Sequence, residues 1–511
     1  MKIRAKLNRI LCTALTLILL CACTSNGESD ISSDTEKSES IAAKQYSICL
    51  PFSKKDSLNP YKAETKQNKE LSMLLFDPLI KINSSFDAEL YIADSYEYLN
   101  KKCTVKLKNI YFTDGSELTA DDVIYSFKAA KESNAYSKQL KAVTANSADG
   151  KTVVFSLSYN DPNMINLLDF PIIKAGTANL TDENNRAVPP IGCGRYYFED
   201  TNALSLTANN GYYGKAINAR SITLVDCPDD DSLSHYAASG SISAIYSDMS
   251  DNTVPKKSGE YIKVPTTHLV FIGVNCYKDA LSDAVIRLAI SSAADRTALC
   301  NDGYYGYADP ASNVFSPNWS LSKTLQSVNV TQNIEQTVAY LGTIGYNVTD
   351  SDGFVVNDSG QRLTFSLMYN KENSARAAAV GCIATQLKKC GIEITPVGVD
   401  YSTYRQRLAD GDYELYIGEI KLGKSFYLGD ILSSAVIAGY PSESTAAAMF
   451  NQYYSGETEI ESALSAFAAE MPFIPLCYRK GVTVVTDRLT DCMNVSISDV
   501  YNGIEGFIQQ G

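Results

Sequence analysis

One run of the chain has the residue types and spacing of a phosphate-binding loop. Gly418-Glu419-Ile420-Lys421-Leu422-Gly423-Lys424-Ser425 satisfies G-x-x-x-x-G-K-S, in which backbone N–H groups cradle phosphates and the lysine neutralises them. Such a loop also needs a helix that starts at once and an acidic metal ligand on another strand. The segment that follows, SFYLGDILSS, is a poor helix start, with Phe426, Tyr427 and Gly429 in what would be its first turns. Nucleotide chemistry is therefore not expected. No HExxH, GxSxG or dinucleotide glycine pattern occurs. The two histidines, His235 and His268, have no Ser or Cys constellation beside them and read as structural or exposed. Asp229, Asp230 and Asp231 read as a solvated loop rather than a calcium site. Ser351-Asp352-Gly353 and Asp358-Ser359-Gly360 read as turns, because twelve-residue ligand spacing is missing. The expectation is no enzyme, no metal and no cofactor.

Cysteine chemistry concentrates at the N-terminus. Lys2, Arg4, Lys6 and Arg9 precede an apolar run from Ile10 to Leu20, too short to span a bilayer comfortably. The run ends in LLCAC at residues 19–23, which resembles a bacterial lipobox with Cys23 as the lipidated residue. Residues 1–22 then form a signal peptide. Residues 23–45, rich in Ser, Asp and Glu, form a disordered tether that holds the body off the membrane. Of the 13 cysteines, those beyond Cys23 show no CxxC and no metal-ligand spacing. Several stand where a small apolar residue would, as Cys103 does in KKCTVKLK, and read mostly as free buried thiols.

The elements that must position any site read as alternating strands and helices. KKCTVKLK (101–108), TVVFSLS (152–158), IEITPVGV (392–399) and YELYIGEI (413–420) read as strands. Thr119 can cap a helix whose first turn holds Asp121 and Asp122, with Val123, Ile124, Phe127 and Ala130 on its apolar face. Asp283 to Ala294 carries Val285, Leu288 and Ala289 at helical spacing. Residues 375–389 place Val380, Ile383 and Leu387 on one face, with Gly391 as a stop. At 511 residues, 45% hydrophobic and 20% charged, the chain is a multidomain globular protein. Its net charge of −13 argues against nucleic acid as a partner.

A series of blocks, in order over more than 400 residues, resembles one family. These include SLNPYKAETKQNKELSMLLFDPLIKIN, KKCTVKLKNIYFTDGSELTADDVIYSFKAAK, IGCGRYYFED, LTANNGYYG, FIGVNCYKDALSDAVIRLAISSAADRTALCNDGYYGYADPA and AEMPFIPLCYR. The chain is similar to the substrate-binding lipoproteins of bacterial ABC importers for peptides, solute-binding family 5, which also takes in nickel-binding members. The resemblance implies an α/β, two-lobed periplasmic-binding-protein-like fold (class II, cluster C), with central sheets flanked by helices and a hinge between lobes. Lobe I would run over 46–266, with 478–511 returning to it, and lobe II over 267–477. Asp283, Arg287, Asp295 and Arg296 then read as fold markers forming helix-end ion pairs. Cys193 and Arg195 depart from the family's Thr and Pro, a change expected to alter only a loop.

The resemblance also implies a function. The chain would be a lipid-anchored, monomeric subunit on the outer face of the cell membrane, capturing a peptide or other small solute between its lobes. It would deliver that solute to an ABC permease and its ATPase. A ligand-sensing lipoprotein without transport, or an exported hydrolase, are the other readings. Asn275, Glu419, Ile420, Lys421 and Tyr427 are the expected ligand-binding residues. Many peptide-binding members have an acid after this strand that pairs with the peptide's amine. Here the matching positions are Leu422 and Gly423, Glu419 is the nearest acid, and Lys421 and Lys424 bring positive charge. A ligand with a blocked amine or an anionic group is therefore expected.

Overall fold

The computed structural model describes residues 47–508 apart from 201, 251–252, 279, 326–328 and 439–443. Cys23, the signal segment and the tether lie outside the described residues. Two strands run through the molecule, Glu260–Val274 and Phe473–Val485, both built from long apolar stretches. They pair antiparallel over most of their length, with register shifts between Pro265 and Leu269 and between Val270 and Phe271. Around them forms a seven-stranded sheet. Its order is Ala244–Ser247, Phe473–Val485, Glu260–Val274, Leu415–Lys421, Thr364–Asn370 and Glu393–Val399, with Ala308–Pro310 also paired to Phe473–Val485. Thr364–Asn370 and Glu393–Val399 are parallel. The helix Ser374–Lys389 crosses between them, as a parallel pair requires. Val380, Ile383 and Leu387 are its buried residues, and Gly391, at φ +78°, follows its end.

Two four-stranded sheets complete the β structure. One is antiparallel, in the order Ala93–Leu99, Lys102–Leu107, Thr152–Leu157, Val143–Asp149. Cys103, Val105 and Leu107 point into its core while Lys102 and Lys106 face solvent, the alternation legible in the sequence. Helix Ala120–Glu132 covers it, opened by a capping box in which Asp122 accepts from the Thr119 N–H and hydroxyl, both at 2.9 Å. The other sheet runs Cys49–Phe52, Ser221–Asp226, Ser205–Ala208, Tyr196–Tyr197.

Three expectations change. Asp229–Asp231 is not a loop: Asp229 accepts from the Ser232 N–H at 2.8 Å and caps the helix Asp230–Ala238. Helix Ala284–Ala293 buries Ile286, Ala289, Ile290 and Ala293, with Leu288 only half-buried, so its inner face is turned by about one residue. Its arginine neighbours serve main-chain carbonyls. Arg287 donates to Glu470 O, Met471 O, Leu281 O and Ser282 O, and Arg296 to Pro475 O, Ser291 O and Ser291 Oγ. Asp283 and Asp295 cap helices instead. A guanidinium sealed in a core needs acceptors for its five N–H groups, which bent backbone supplies more readily than one carboxylate.

Arg195 does more than reshape a loop. Its guanidinium, 2% exposed, lies 2.7 Å from Asp499 and 2.5 Å from Glu505. Asp499 also takes the Lys81 ammonium at 2.8 Å, and Lys81 reaches Asp77 at 3.0 Å. Tyr212 and Tyr213 both donate to Asp77 Oδ2, at 2.9 Å. This sealed network fastens the last residues of the chain to its first third. The block's preceding glycine has a steric purpose: a Cβ on Gly194 would stand 2.4 Å from the Leu75 carbonyl carbon. The ten described cysteines are free thiols, and burial raises the Cys103 pKa to about 12.

Candidate functional site

The site lies where the two long strands meet the strand Leu415–Lys421. On that strand Glu419 sits opposite Val270, and Lys421 opposite His268. Glu419 Oε1 lies 3.1 Å from His268 Nδ1 and accepts from Arg479 Nη1 at 3.0 Å; its Oε2 is 3.2 Å from the same nitrogen. Arg376 Nη2 approaches Oε2 to 3.9 Å. Arg479 also donates to the Met249 carbonyl, which follows the strand Ala244–Ser247. Burial works to raise the Glu419 pKa. The His268 hydrogen bond and the charges of Arg479, His268 and Arg376 outweigh it and hold the carboxyl below its ordinary range.

The loop after this strand reaches segments from the first half of the chain. Lys424 pairs with Asp169, which also accepts from Ser498 Oγ at 3.2 Å and Gln139 Nε2 at 2.8 Å. Asn166 Nδ2 donates to the Lys424 carbonyl at 3.1 Å and to the Phe86 carbonyl at 3.0 Å. Phe426 is sealed among Phe86, Trp319 and Phe315, at ring-centroid distances of 5.1, 4.9 and 6.2 Å. Tyr427 stacks on Tyr159 at 4.1 Å and meets Tyr454 at 4.5 Å. Beneath these rings Asp161 is fully buried, and burial raises its pKa to about 6.

The phosphate-loop pattern is thus divided between two structures. Gly418 to Lys421 belong to the strand, where a Cβ on Gly418 would stand 2.5 Å from the Phe271 ring. Lys424 is held by Asp169. The next helix, Gly429–Leu432, has four residues. The glycine and lysine of the pattern serve ring packing and a carboxylate.

Of the expected ligand residues, the structure brings Glu419 and Lys421 together on one strand. Lys421 is exposed at its end; desolvation of its ammonium, and then the Lys424 charge, lower its pKa. Ile420 pairs across to Leu269 and packs partly buried on the core. Tyr427 lies in the tyrosine cluster. Asn275 is apart from them, its amide donating to the Gly411 and Tyr413 carbonyls, both at 3.0 Å. Sequence reasoning missed Arg376, Arg479, Asp169 and Asp248. Each stands in a segment with no motif of its own, and only folding gathers them.

Helix Lys66–Leu75 adds a further group near the site. The Lys66 ammonium is 5.5 Å from the Tyr246 ring centroid, and Asp248 is held below its ordinary pKa despite desolvation, in part by Lys66 and His268. Glu70 is buried, with the Tyr501 hydroxyl 3.5 Å from Oε2 and no partner for Oε1. Burial raises its pKa to about 8 against the lowering charge of Lys66. The folded chain then keeps a proton that the unfolded chain loses near its pKa of about 4.3. Stability should fall by about 1.4 kcal/mol per pH unit as pH rises between those two values. Glu70→Gln should flatten this decline, read as Tm across the interval up to pH 8. Equal slopes in both proteins would contradict the assignment.

Among the described residues, no group of three His, Cys, Asp or Glu could hold a metal ion, and no helix is long and apolar enough to cross a membrane. The chain is similar to "Oligopeptide-binding protein AppA" of Bacillus subtilis, 25% identical over 363 residues, which span 66% of each chain, just under two thirds of that relative's length. Solved structures give the fold. The "Nickel ABC transporter from Bacillus halodurans" has a TM-score of 0.70 at 18% identity, over 89% of this chain and 98% of that one. The "MppA Periplasmic Murein Tripeptide Binding Protein, Unliganded Open Form" has 0.72 at 18%, over 90% and 96%. The architecture is the two-lobed α/β fold of these proteins. Residues 92–424 match the bacterial extracellular solute-binding proteins, family 5. The chain belongs to that family, whose members bind solutes and are not enzymes.

Proposed function

We propose that the chain is the substrate-binding subunit of an ABC importer, capturing a peptide or peptide-like solute between its lobes and passing it to a membrane permease. Lobe I takes residues 46–266 with 478–511, and lobe II takes 267–477. The observation that carries this reading is the charged group on Leu415–Lys421. Glu419, Lys421 and Lys424 meet Arg479, Met249 and Asp169 where the two long strands cross, so a solute held there touches both halves of the chain. Binding both halves at once favours a closed form, as in periplasmic binding proteins. The printed name of the Bacillus subtilis relative supports a peptide as the solute. Glu419, Ile420, Lys421 and Tyr427 line the site, and Asn275 shapes its edge. The subunit acts as a monomer on the outer face of the membrane, held by lipid on Cys23.

The test has two arms. Native mass spectrometry of the purified chain, incubated with a protein digest, should show captured peptides. Cys23→Ser should release the protein from the membrane fraction. Absence of any captured peptide would contradict the solute class, and palmitate labelling of the Cys23→Ser variant would contradict the anchor.

A further inference from the structure

Arg376 is the least satisfied cation of the site. It stands in the first turn of the helix Ser374–Lys389 with its side chain 16% exposed. A guanidinium carries five N–H donors in a planar fork. Arg479, beside it, spends donors on Glu419 and Met249, and the sealed Arg296 spends its own on backbone and Ser291. Arg376 makes no side-chain hydrogen bond among the described residues. Its Nη2 stops 3.9 Å short of Glu419, its Nε is sealed from solvent without a partner, and its guanidinium carbon is 5.9 Å from the Tyr404 ring centroid. Nearby Tyr304 is 5% exposed, and its hydroxyl too is sealed and unpartnered. That ring senses the charges of Glu419, Arg479 and Arg376.

Buried polar groups in folded proteins are nearly always hydrogen-bonded, so two idle donors beside one carboxylate ask for an acceptor. The charge points the same way. Glu419 supplies one negative charge against two arginines, before His268 is counted, and a surplus of half-buried positive charge is costly. Glu419 itself is poorly placed to anchor a ligand ammonium. Its Oε1 is held by His268 and Arg479, and its Oε2 faces Arg479 and Arg376. We infer that Arg376 and Tyr304 form a subsite for one carboxylate of the captured solute, with the planar guanidinium edge taking both oxygens and the tyrosine hydroxyl adding a third donor. This rests on the solute-capturing reading above and gives the solute a class: peptides or peptide-like acids with a free carboxylate.

The experiment uses one pool of tripeptides in two forms, free acids and C-terminal amides, with calorimetry and native mass spectrometry on the mature protein. Wild type should favour the acids by about 10- to 100-fold. Arg376→Gln should erase that preference. Arg376→Lys, which keeps the charge and loses the fork, should restore only part of it, and Tyr304→Phe should weaken it. Thermal unfolding without peptide separates this from a bracing role. Arg376→Gln should melt no lower than wild type, because it removes surplus buried charge. A lower Tm with the acid preference intact would show that Arg376 only props Glu419, and would overturn the inference. Equal capture of acids and amides by wild type also overturns it and leaves peptide binding standing. Capture of neither pool removes the peptide reading and the inference with it.

Discussion

Asp499→Asn is expected to cost about 3–5 kcal/mol of folding stability, the usual result of breaking a buried ion pair on one side. Asn keeps the shape of Asp499 and removes the charge that Arg195 and Lys81 face at 2.7 and 2.8 Å. It also turns N–H donors toward two cations that have none to accept. The loss is read from urea unfolding as a lowered midpoint at unchanged slope. Its pH dependence has a definite sign. Burial raises the Asp499 pKa, but Arg195 and Lys81 outweigh it and hold the carboxyl below its ordinary value. The contribution is therefore complete above the unfolded pKa of about 3.9 and disappears as pH falls through the lower folded value. The variant's deficit should shrink in acid. A deficit below about 1 kcal/mol at neutral pH, the range of an exposed pair, would show that the network is not sealed as described.

Phe426→Ala should cost a similar amount, about 3–5 kcal/mol, since it empties a ring-sized space in a close-packed cluster. Phe426 is 1% exposed and touches rings from distant parts of the chain, Phe86 and Trp319 among them. Its φ of +57° is strained for any residue with a Cβ. Alanine inherits that strain, whereas Phe426→Gly loses the ring and relieves the backbone. The glycine variant should therefore lose less than its lower conformational preference alone would suggest. Trp319 is the sole tryptophan, so its emission reports the same site without a label and should shift to the red in both variants. Unchanged emission would mean that Phe426 does not shield it.

The scaffold was legible wherever one residue states both an element and its limit. Thr119 with Asp122 makes a helix start from four positions, and the alternation of Cys103, Val105 and Leu107 with lysines assigns a strand and its inner face together. Gly391 marks a helix end because its φ is positive. The helix Ala284–Ala293 was found but turned, because Val285, Ile286, Leu288, Ala289 and Ile290 leave several apolar faces open and only packing chooses among them. The site was legible in part. Glu419 and Lys421 could be singled out from one strand, but what Glu419 faces could not. Its partners come from positions 268, 376 and 479, and no local pattern tells a buried arginine that serves backbone carbonyls, such as Arg287, from one that faces a carboxylate. Arg195 shows the same limit: beside glycine and tyrosine it reads as a loop residue, and its role depends on two acids some 300 positions later.

That separation bears on how the molecule comes to be folded. Lys81 joins Asp499 across 418 positions, and Arg195 joins Glu505 across 310. Contacts so distant in sequence form late, because a long loop must close before they return any energy. A chain made from its N-terminus therefore holds Lys81 and Arg195 without their partners until almost the last residue has been added. Through that interval the surfaces around Leu75 and Tyr196 have no tail to cover them, the condition under which partly folded chains aggregate. Refolding from denaturant should accordingly show a slow final phase that follows the tail, and a chain ending before Asp499 should stall ahead of it.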